Sequence, residues 1–312
     1  MRKIQYDRFG DEQVLEVREQ PTPTIGKNQL LIRVKAASIN PLDWKLYRGE
    51  MKLLSGSAFP KAVGIDFSGV VAQTGPGVTR FQVGDAVFGL LDTFKGGALA
   101  DYVVATEGDI APKPSTISFE QAAALPVTGL AALQILDQLA AVQAGYEVLL
   151  NGATGGVGML ALQIAKRRGA SVTAVAGPAG ATLTSWGADT VLDYTKQDLT
   201  RLSQRFDTII DLSDKLSFAA AKKLLKPRAT FVSTLPSPWS LAASFLHNLF
   251  SAQKHRILIL KPTAQGLADL AALAQDQLQI PVEKVYNLAS VRQAYRETSR
   301  GEVRGKTVIT LD

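Results

Sequence analysis

The stretch Val148-Leu149-Leu150-Asn151-Gly152-Ala153-Thr154-Gly155-Gly156-Val157-Gly158 constrains this chain more than any other. An apolar run of strand length leads directly into a glycine cluster, and a helical pattern follows from Gly158 to Arg168. Glycines permit the tight turn and let backbone N–H groups approach a pyrophosphate, while the helix N-terminus adds partial positive charge. A glycine cluster alone is weak evidence; one between a strand and a helix is the context a dinucleotide needs. The residues expected to hold the cofactor are Gly152, Ala153, Thr154, Gly155, Gly156, Val157 and Gly158. Ala153 stands where the usual motif has its first glycine. Alanine serves there only if the residue does not need a positive φ.

The rest of the chain supports this reading. Residues 1–118 are β-rich: Leu30 to Ala36 is a strand pattern, and turn signals recur at Asn40-Pro41, Gly75-Pro76-Gly77, Gly84-Asp85 and Gly96-Gly97. The texture changes at Ser118. It reads as the N-cap of an Ala/Leu-rich helix from Phe119 to Leu139, with Gln121 completing a capping box. Strands at 147–150, 171–176, 190–192, 208–211 and 230–233 then alternate with helical segments, which implies βαβ crossovers and a parallel sheet. A helix at 267–275, a strand at 282–286, a helix near 291–298 and a terminal strand at 306–311 close the chain. The expected boundaries are 1–118, 119–262 and 263–312. The fold class is α/β, with a Rossmann doubly wound sheet beside a β-rich domain.

Composition excludes several classes. There is no cysteine, and the two histidines, His247 and His255, fall in one late segment. A zinc site of nitrogen and sulfur ligands is therefore not expected. No apolar run reaches membrane-spanning length. The residues from Met1 to Tyr6 read as a strand, not as a leader, so a cytoplasmic or stromal-type location is expected. The net charge of +6 is scattered, without the interleaved aromatics of a nucleic-acid platform, so no nucleic acid is expected as partner.

The strand after the glycine turn ends in Val175-Ala176-Gly177-Pro178-Ala179-Gly180. An acid there would bind the 2′-hydroxyl of NAD and repel the 2′-phosphate of NADP. Its absence favours NADPH; the absence of a lysine or arginine leaves NADH permitted. Gly177 and Tyr194 are placed at the adenosine end. Asp211-Leu212-Ser213 and Ser233-Thr234-Leu235 fall at the carboxyl ends of later strands, where ligands bind in open α/β sheets. Ser213 and Leu235 are their expected cofactor contacts.

Asn40-Pro41-Leu42-Asp43-Trp44-Lys45, Gly64-Ile65-Asp66-Phe67-Ser68-Gly69, Gly84-Asp85-Ala86-Val87, Gly97 to Tyr102, Ala124 to Leu130, Gly155 to Gly158, Leu192-Asp193-Tyr194 and Gly305-Lys306 stand in order along the chain. This series resembles the medium-chain dehydrogenase/reductase superfamily, and within it the zinc-free quinone oxidoreductases. Asp43-Trp44-Lys45 with Gly187 to Tyr194 is most similar to the chloroplast envelope quinone oxidoreductase homologues. The resemblance implies a GroES-like catalytic domain with an inserted Rossmann domain, a cleft between them, and a homodimer joined through Rossmann sheet edges. It places Asn40 and Thr128 near the nicotinamide and Lys306 at the cofactor's edge. Zinc-dependent relatives carry a Cys near residue 40 and a His-Glu pair in the Gly64 motif, where this chain has Asn40 and Ile65-Asp66.

The expected chemistry is hydride addition from NADPH to the activated C=C bond of enones, enals or oxylipin ketols, or to quinones. An enolate needs only hydrogen-bond donors for its stabilisation. Asn40 is expected to orient the substrate carbonyl or the cofactor, with an Asn-Pro turn residue as the alternative. Lys45, which replaces a tyrosine common in relatives, and Tyr47 are the candidate proton donors, with a surface lysine and a core tyrosine as their alternatives. Asp66 either orients Lys45 or caps a turn. A non-catalytic dinucleotide-binding protein is the competing reading, since Ala131 replaces a threonine frequent in relatives. Finally, Trp239, Leu241, Phe245, Leu246, Leu249 and Phe250 precede Lys254-His255-Arg256. At helical spacing they fit an interfacial helix, although a helix covering a cleft or subunit interface is the stronger expectation.

Overall fold

The computed structural model describes residues 1–234 and 237–311. The chain divides into two compact units, Met1–Val127 with Pro262–Asp312, and Thr128–Lys261.

The spine of the first unit is the strand Gln29–Ser38. Its antiparallel neighbour on one side is Asp66–Thr74. On the other side its two halves take different partners: Gln29 to Arg33 pair with Tyr102–Thr106, and Ala36 to Ser38 pair with the C-terminal strand Lys306–Thr310. This division decides the local chemistry. Ser38 lies opposite Asp66 in one register and opposite Val308 in the other, so the chain's last strand is delivered to the start of Asn40. The core beneath is apolar and aromatic, with Tyr6, Tyr47, Phe67 and Tyr295 all buried.

The second unit holds a six-stranded parallel sheet in the order Thr190–Asp193, Ser171–Ala176, Glu147–Asn151, Phe206–Asp211, Leu225–Ser233, Lys254–Ile257. The first of these strands in the chain, Glu147–Asn151, lies inside the sheet. Its two successors lie to one side and the later three to the other. The order reverses at Asn151, and such a switch point opens a ligand crevice at the strands' carboxyl ends.

Two elements differ from the sequence-based expectation. The helix expected from Phe119 to Leu139 is broken into Phe119–Ala123, Pro126–Gln134 and a π-helical turn at Ile135–Leu139. Pro126 has no N–H and its ring excludes the carbonyl of the preceding turn, so it starts a new helix. The Ser118–Gln121 capping box is present as expected. The basic group Lys254-His255-Arg256 belongs to the outermost strand, Lys254–Ile257. Strand character was hidden there by charge.

The helix Pro238–Phe250 attaches to that strand through polar side chains. Asn248 donates to the His255 carbonyl at 2.7 Å and accepts its N–H at 2.8 Å. Ser244 donates to the same carbonyl at 2.6 Å. His247 pairs with the Gln253 carbonyl at 2.9 Å.

Candidate functional site

In the second unit the glycine turn is built as its residues require. The positive φ falls on Gly152, at +83°, and not on Ala153. The condition for an alanine in the motif is met because the sharp bend sits one residue earlier. Ala153 is buried and its N–H bonds the Val175 carbonyl at 3.2 Å, tying the turn to the neighbouring strand. The helix Gly156–Arg167 begins here with Gly155 as N-cap, which offers no side chain to its N–H groups. Gly155 is exposed, and a Cβ on it would find nothing closer than 3.5 Å. At Gly158 the reverse holds: a Cβ would lie 2.4 Å from the Gly152 carbonyl oxygen and 2.7 Å from the Ala153 Cα. Gly158 thus lets helix and turn pack closely, while Gly155 leaves the helix end open. A diphosphate fits such an end, where unpaired N–H groups and the helix dipole converge.

The surroundings of the turn are ordered by Asn151. Its side-chain amide donates to Asp211 Oδ1 and to Ser213 Oγ, both at 2.8 Å. Ser213 Oγ donates in turn to Asp211 Oδ1 at 2.8 Å. The carboxyl ends of two adjacent strands are locked together by this network. Gly177, the residue after Ser171–Ala176, lies against Tyr194: a Cβ there would meet the phenol oxygen at 3.0 Å. Tyr194 is mostly exposed and its N–H bonds the Ala176 carbonyl at 3.1 Å. Thr128 is buried on the helix Pro126–Gln134, as is Ala131. Leu235 lies outside the described residues. This geometry leaves Gly152 to Gly158 able to hold a diphosphate, with Gly177 and Tyr194 side by side at the end of the neighbouring strand.

In the first unit the structure assembles a buried polar cluster that the sequence showed only in pieces. Asn40 precedes the helix Pro41–Tyr47 and is 1% exposed. Its Nδ2 donates to Asp66 Oδ2 at 2.9 Å, and its Oδ1 accepts from Lys306 Nζ at 2.7 Å. The amide orientation is therefore fixed from both ends, with one Nδ2 hydrogen left over. Lys306, expected at the cofactor's edge, is 4% exposed; it also donates to the Ile39 carbonyl at 2.8 Å and stands 3.8 Å from Asp66. Asp66 further accepts from Ser38 at 3.0 Å and from the Val127 N–H at 3.1 Å. Burial raises the Asp66 carboxyl and lowers the Lys306 ammonium, while each favours the charged form of the other.

Asp66 does not orient Lys45. Its partners are Ser38, Asn40, Val127 and Lys306. Lys45 is half-buried on the helix Pro41–Tyr47 and makes no side-chain hydrogen bond or ion pair among the described residues. Tyr47, the other candidate donor, is fully buried, packed edge-on against Tyr6 and Tyr295, and its hydroxyl has no partner. Burial pushes that phenol further above its ordinary value. A proton donor needs access and a pKa near the working range, and Tyr47 has neither.

Asp43 was not singled out from the sequence. It is fully buried; its Oδ2 accepts from the Asn40 N–H at 2.8 Å and from the Tyr295 hydroxyl at 3.1 Å, and its Oδ1 has no partner. Burial pushes it up to about 7. The available signal was the Asn-Pro-x-Asp spacing, which places an acid three residues past a helix cap, where it reaches back to the cap N–H.

Comparison with known proteins gives the family of the chain. Residues 26–115 match the alcohol dehydrogenase GroES-like domain, and residues 186–309 match the zinc-binding dehydrogenase domain. The chloroplastic quinone oxidoreductase of Triphysaria versicolor is 30% identical over 99% of this chain and 98% of its own. The chain belongs to the quinone oxidoreductases of the medium-chain dehydrogenase/reductase superfamily. The mitochondrial NAD(P)H oxidoreductase of Bos taurus is 31% identical, covering 98% of this chain and 88% of that protein. The 2-methylene-furan-3-one reductase of Solanum lycopersicum is 37% identical, over 68% of this chain and 56% of that protein. Among solved structures, the quinone oxidoreductase from Coxiella burnetii superposes with a TM-score of 0.91 at 33% identity, covering 100% of this chain and 99% of that one. This quinone oxidoreductase relative is accordingly an oxidoreductase with a nicotinamide cofactor.

The cytoplasmic expectation is corrected by the same comparison. The Triphysaria versicolor relative is chloroplastic and the Bos taurus relative mitochondrial, which points to an organelle. The chloroplastic relative is matched over 98% of its length.

Proposed function

We propose that this protein is an NADPH-dependent, metal-free reductase of activated C=C bonds in α,β-unsaturated carbonyls, with quinones as further acceptors. The observation that carries the reading is the fixed amide of Asn40. Lys306 occupies its oxygen and Asp66 one of its hydrogens, so the remaining Nδ2 hydrogen is a neutral, oriented donor. Such a donor stabilises negative charge developing on a carbonyl oxygen without having to reorganise. A cysteine or histidine at this place would serve a metal; the amide, already engaged, serves an oxyanion.

When bound, the reduced nicotinamide supplies a hydride to the β-carbon of the acceptor. The chain's own part is to hold the diphosphate at Gly152 to Gly158 and to present Asn40 to the carbonyl oxygen. Lys45 gives a proton to the resulting enolate. The preference for NADPH rests on Ala176-Gly177-Pro178, where no carboxylate meets a 2′-phosphate. Tyr194 and Ser213 complete the cofactor's surroundings. The relatives' names, a quinone oxidoreductase and a furanone reductase, are consistent with one acceptor chemistry.

The test is turnover of NADPH and NADH by the purified protein with enones, long-chain 2-enals, ketols and quinones. Faster oxidation of NADPH with at least one enone is expected. Tight cofactor binding with no turnover across the panel overturns the proposal in favour of a binding protein. Lys45→Met should lower kcat by about 100-fold; an unchanged rate removes Lys45 from the mechanism.

A further inference from the structure

The helix Pro238–Phe250 is inside-out. Its polar residues Ser244, His247 and Asn248 face its own unit, where they bond the strand Lys254–Ile257 and the residue before it. Its apolar residues face outward: Trp239 is 86% exposed and Phe250 90%, with Phe245, Leu246 and Leu249 exposed between them. These five recur at helical spacing and form one stripe. A contiguous apolar stripe of this kind marks an interaction surface, not ordinary surface composition.

Charge says what covers it. From Lys215 to Lys261 the chain contains no aspartate or glutamate and eight lysines and arginines. This exceeds the net charge of +6 for the whole chain, so the cationic surplus is concentrated here. Several of these charges border the helix. Gln253 Nε2 donates to the Lys222 carbonyl at 3.2 Å, which ties the exposed Lys222-Lys223 turn to the segment just past the helix end. Phe218 stacks on His255 and packs edge-on against His247, fixing the same turn beside the helix. Lys254 caps the helix through the Asn248 and Ser251 carbonyls, both at 2.8 Å, and Arg256 is exposed on the adjoining strand.

We infer that this face docks on an anionic lipid surface, with the stripe from Trp239 to Phe250 in the interfacial layer and the surrounding cations on the headgroups. Apolar residues in line, a tryptophan at one end and flanking lysines and arginines are what an interfacial helix needs. A second copy of the chain meets the opposite electrostatics: it brings an equally cationic border against this one. The inference stands apart from the choice of acceptor in the catalytic reading.

The full chain is mixed with vesicles of phosphatidylcholine containing about one-third phosphatidylglycerol, and with pure phosphatidylcholine vesicles, at low and high salt. Binding to the anionic vesicles at low salt, lost at high salt and in their neutral counterparts, is expected. Trp239→Ser with Phe250→Ser should abolish it while leaving thermal stability and NADPH binding intact, because both side chains are exposed. Lys222→Glu with Lys223→Glu should weaken it by at least about tenfold. No binding to anionic vesicles at low salt overturns the inference, as does binding that survives both double variants. A dimer by sedimentation that dissociates in the serine variant, without lipid binding, assigns the stripe to a second copy instead.

Discussion

Lys306→Met tests the buried cluster directly. Methionine matches the length of the lysine stem and removes only its charge and donors. Asp66, fully buried, then loses a cation 3.8 Å away. At an effective dielectric of about 20, that attraction is on the order of 4 kcal/mol. Stranding one partner of a buried pair costs about 3–5 kcal/mol by the same logic, because the remaining charge is left in a dry site. The Ile39 carbonyl and Asn40 Oδ1 lose a donor as well. Ser38, Asn40 and the Val127 N–H still serve the carboxylate, so the lower end of that range, about 3 kcal/mol, is expected at neutral pH. Urea unfolding should show a lower midpoint at unchanged slope. The loss should shrink as pH falls toward 5. In the variant Asp66 has a folded pKa raised above its unfolded one, so its penalty is absent below the unfolded value and grows as pH rises through the folded one. Adding Asp66→Asn should recover most of the loss, bringing the double variant within about 1–2 kcal/mol of the parent. A single variant that loses less than about 1 kcal/mol, or a double variant no better than the sum of its parts, would refute the ion-pair account. With its oxygen released, Asn40 is held from the Asp66 side alone, so kcat with an enone should fall while cofactor affinity holds.

Other consequences are as direct. Gly158→Ala places a Cβ 2.4 Å from the Gly152 carbonyl oxygen, which must move; overpacking of about 1–3 kcal/mol outweighs the gain of at most about 1 kcal/mol in helix propensity. Calorimetric titration should show NADPH affinity falling by at least about tenfold, since the displaced amides are the ones proposed to meet the diphosphate. Asp43 contributes a stability term fully present below its unfolded value of 3.8 and lost as pH rises to about 7. Asp43→Asn should therefore flatten the fall in thermal midpoint between those pH values; an unchanged slope places the titration elsewhere. Gly177→Asp should reverse the cofactor preference, lowering kcat/KM with NADPH relative to NADH by about ten- to 100-fold, with the exposed Tyr194 ring turning aside for the new carboxylate.

The glycine turn was legible in the sequence because each requirement is local. A strand, a bend and a helix start lie within eleven consecutive residues, and each leaves its mark in residue type. The sheet that holds the turn was legible from alternation for the same reason. The buried cluster was not. Asn40, Asp66 and Lys306 span most of the chain and meet only because one strand pairs with both Asp66–Thr74 and Lys306–Thr310. A terminal lysine reads as solvated until that pairing is known. Tyr47 and Asp43 show the same limit at closer range. Both sit on the helix Pro41–Tyr47, but which side faces the core depends on Tyr6 and Tyr295, which are far away in sequence. The helix Pro238–Phe250 was legible as a helix with an apolar stripe, while the polar attachment of its other face was not. Apolar spacing normally identifies the inward face, and here it identifies the outward one.

The attachment of that helix also determines how the parallel sheet ends. The outermost strand, Lys254–Ile257, has four residues, and Asn248 closes the outward N–H and carbonyl of His255 as a neighbouring strand would. The sheet therefore carries its own stopper at His255, which interrupts the template that an added strand would need there. A homodimer joined edge to edge finds this border already hydrogen-bonded. Association on this side meets the side chains of the covering helix first, and the edge groups of His255 are closed by Asn248 together with Ser244. Asn248→Leu with Ser244→Ala would remove the stopper without touching the sheet, and light scattering that rises on mild heating would show the bared edge recruiting other chains.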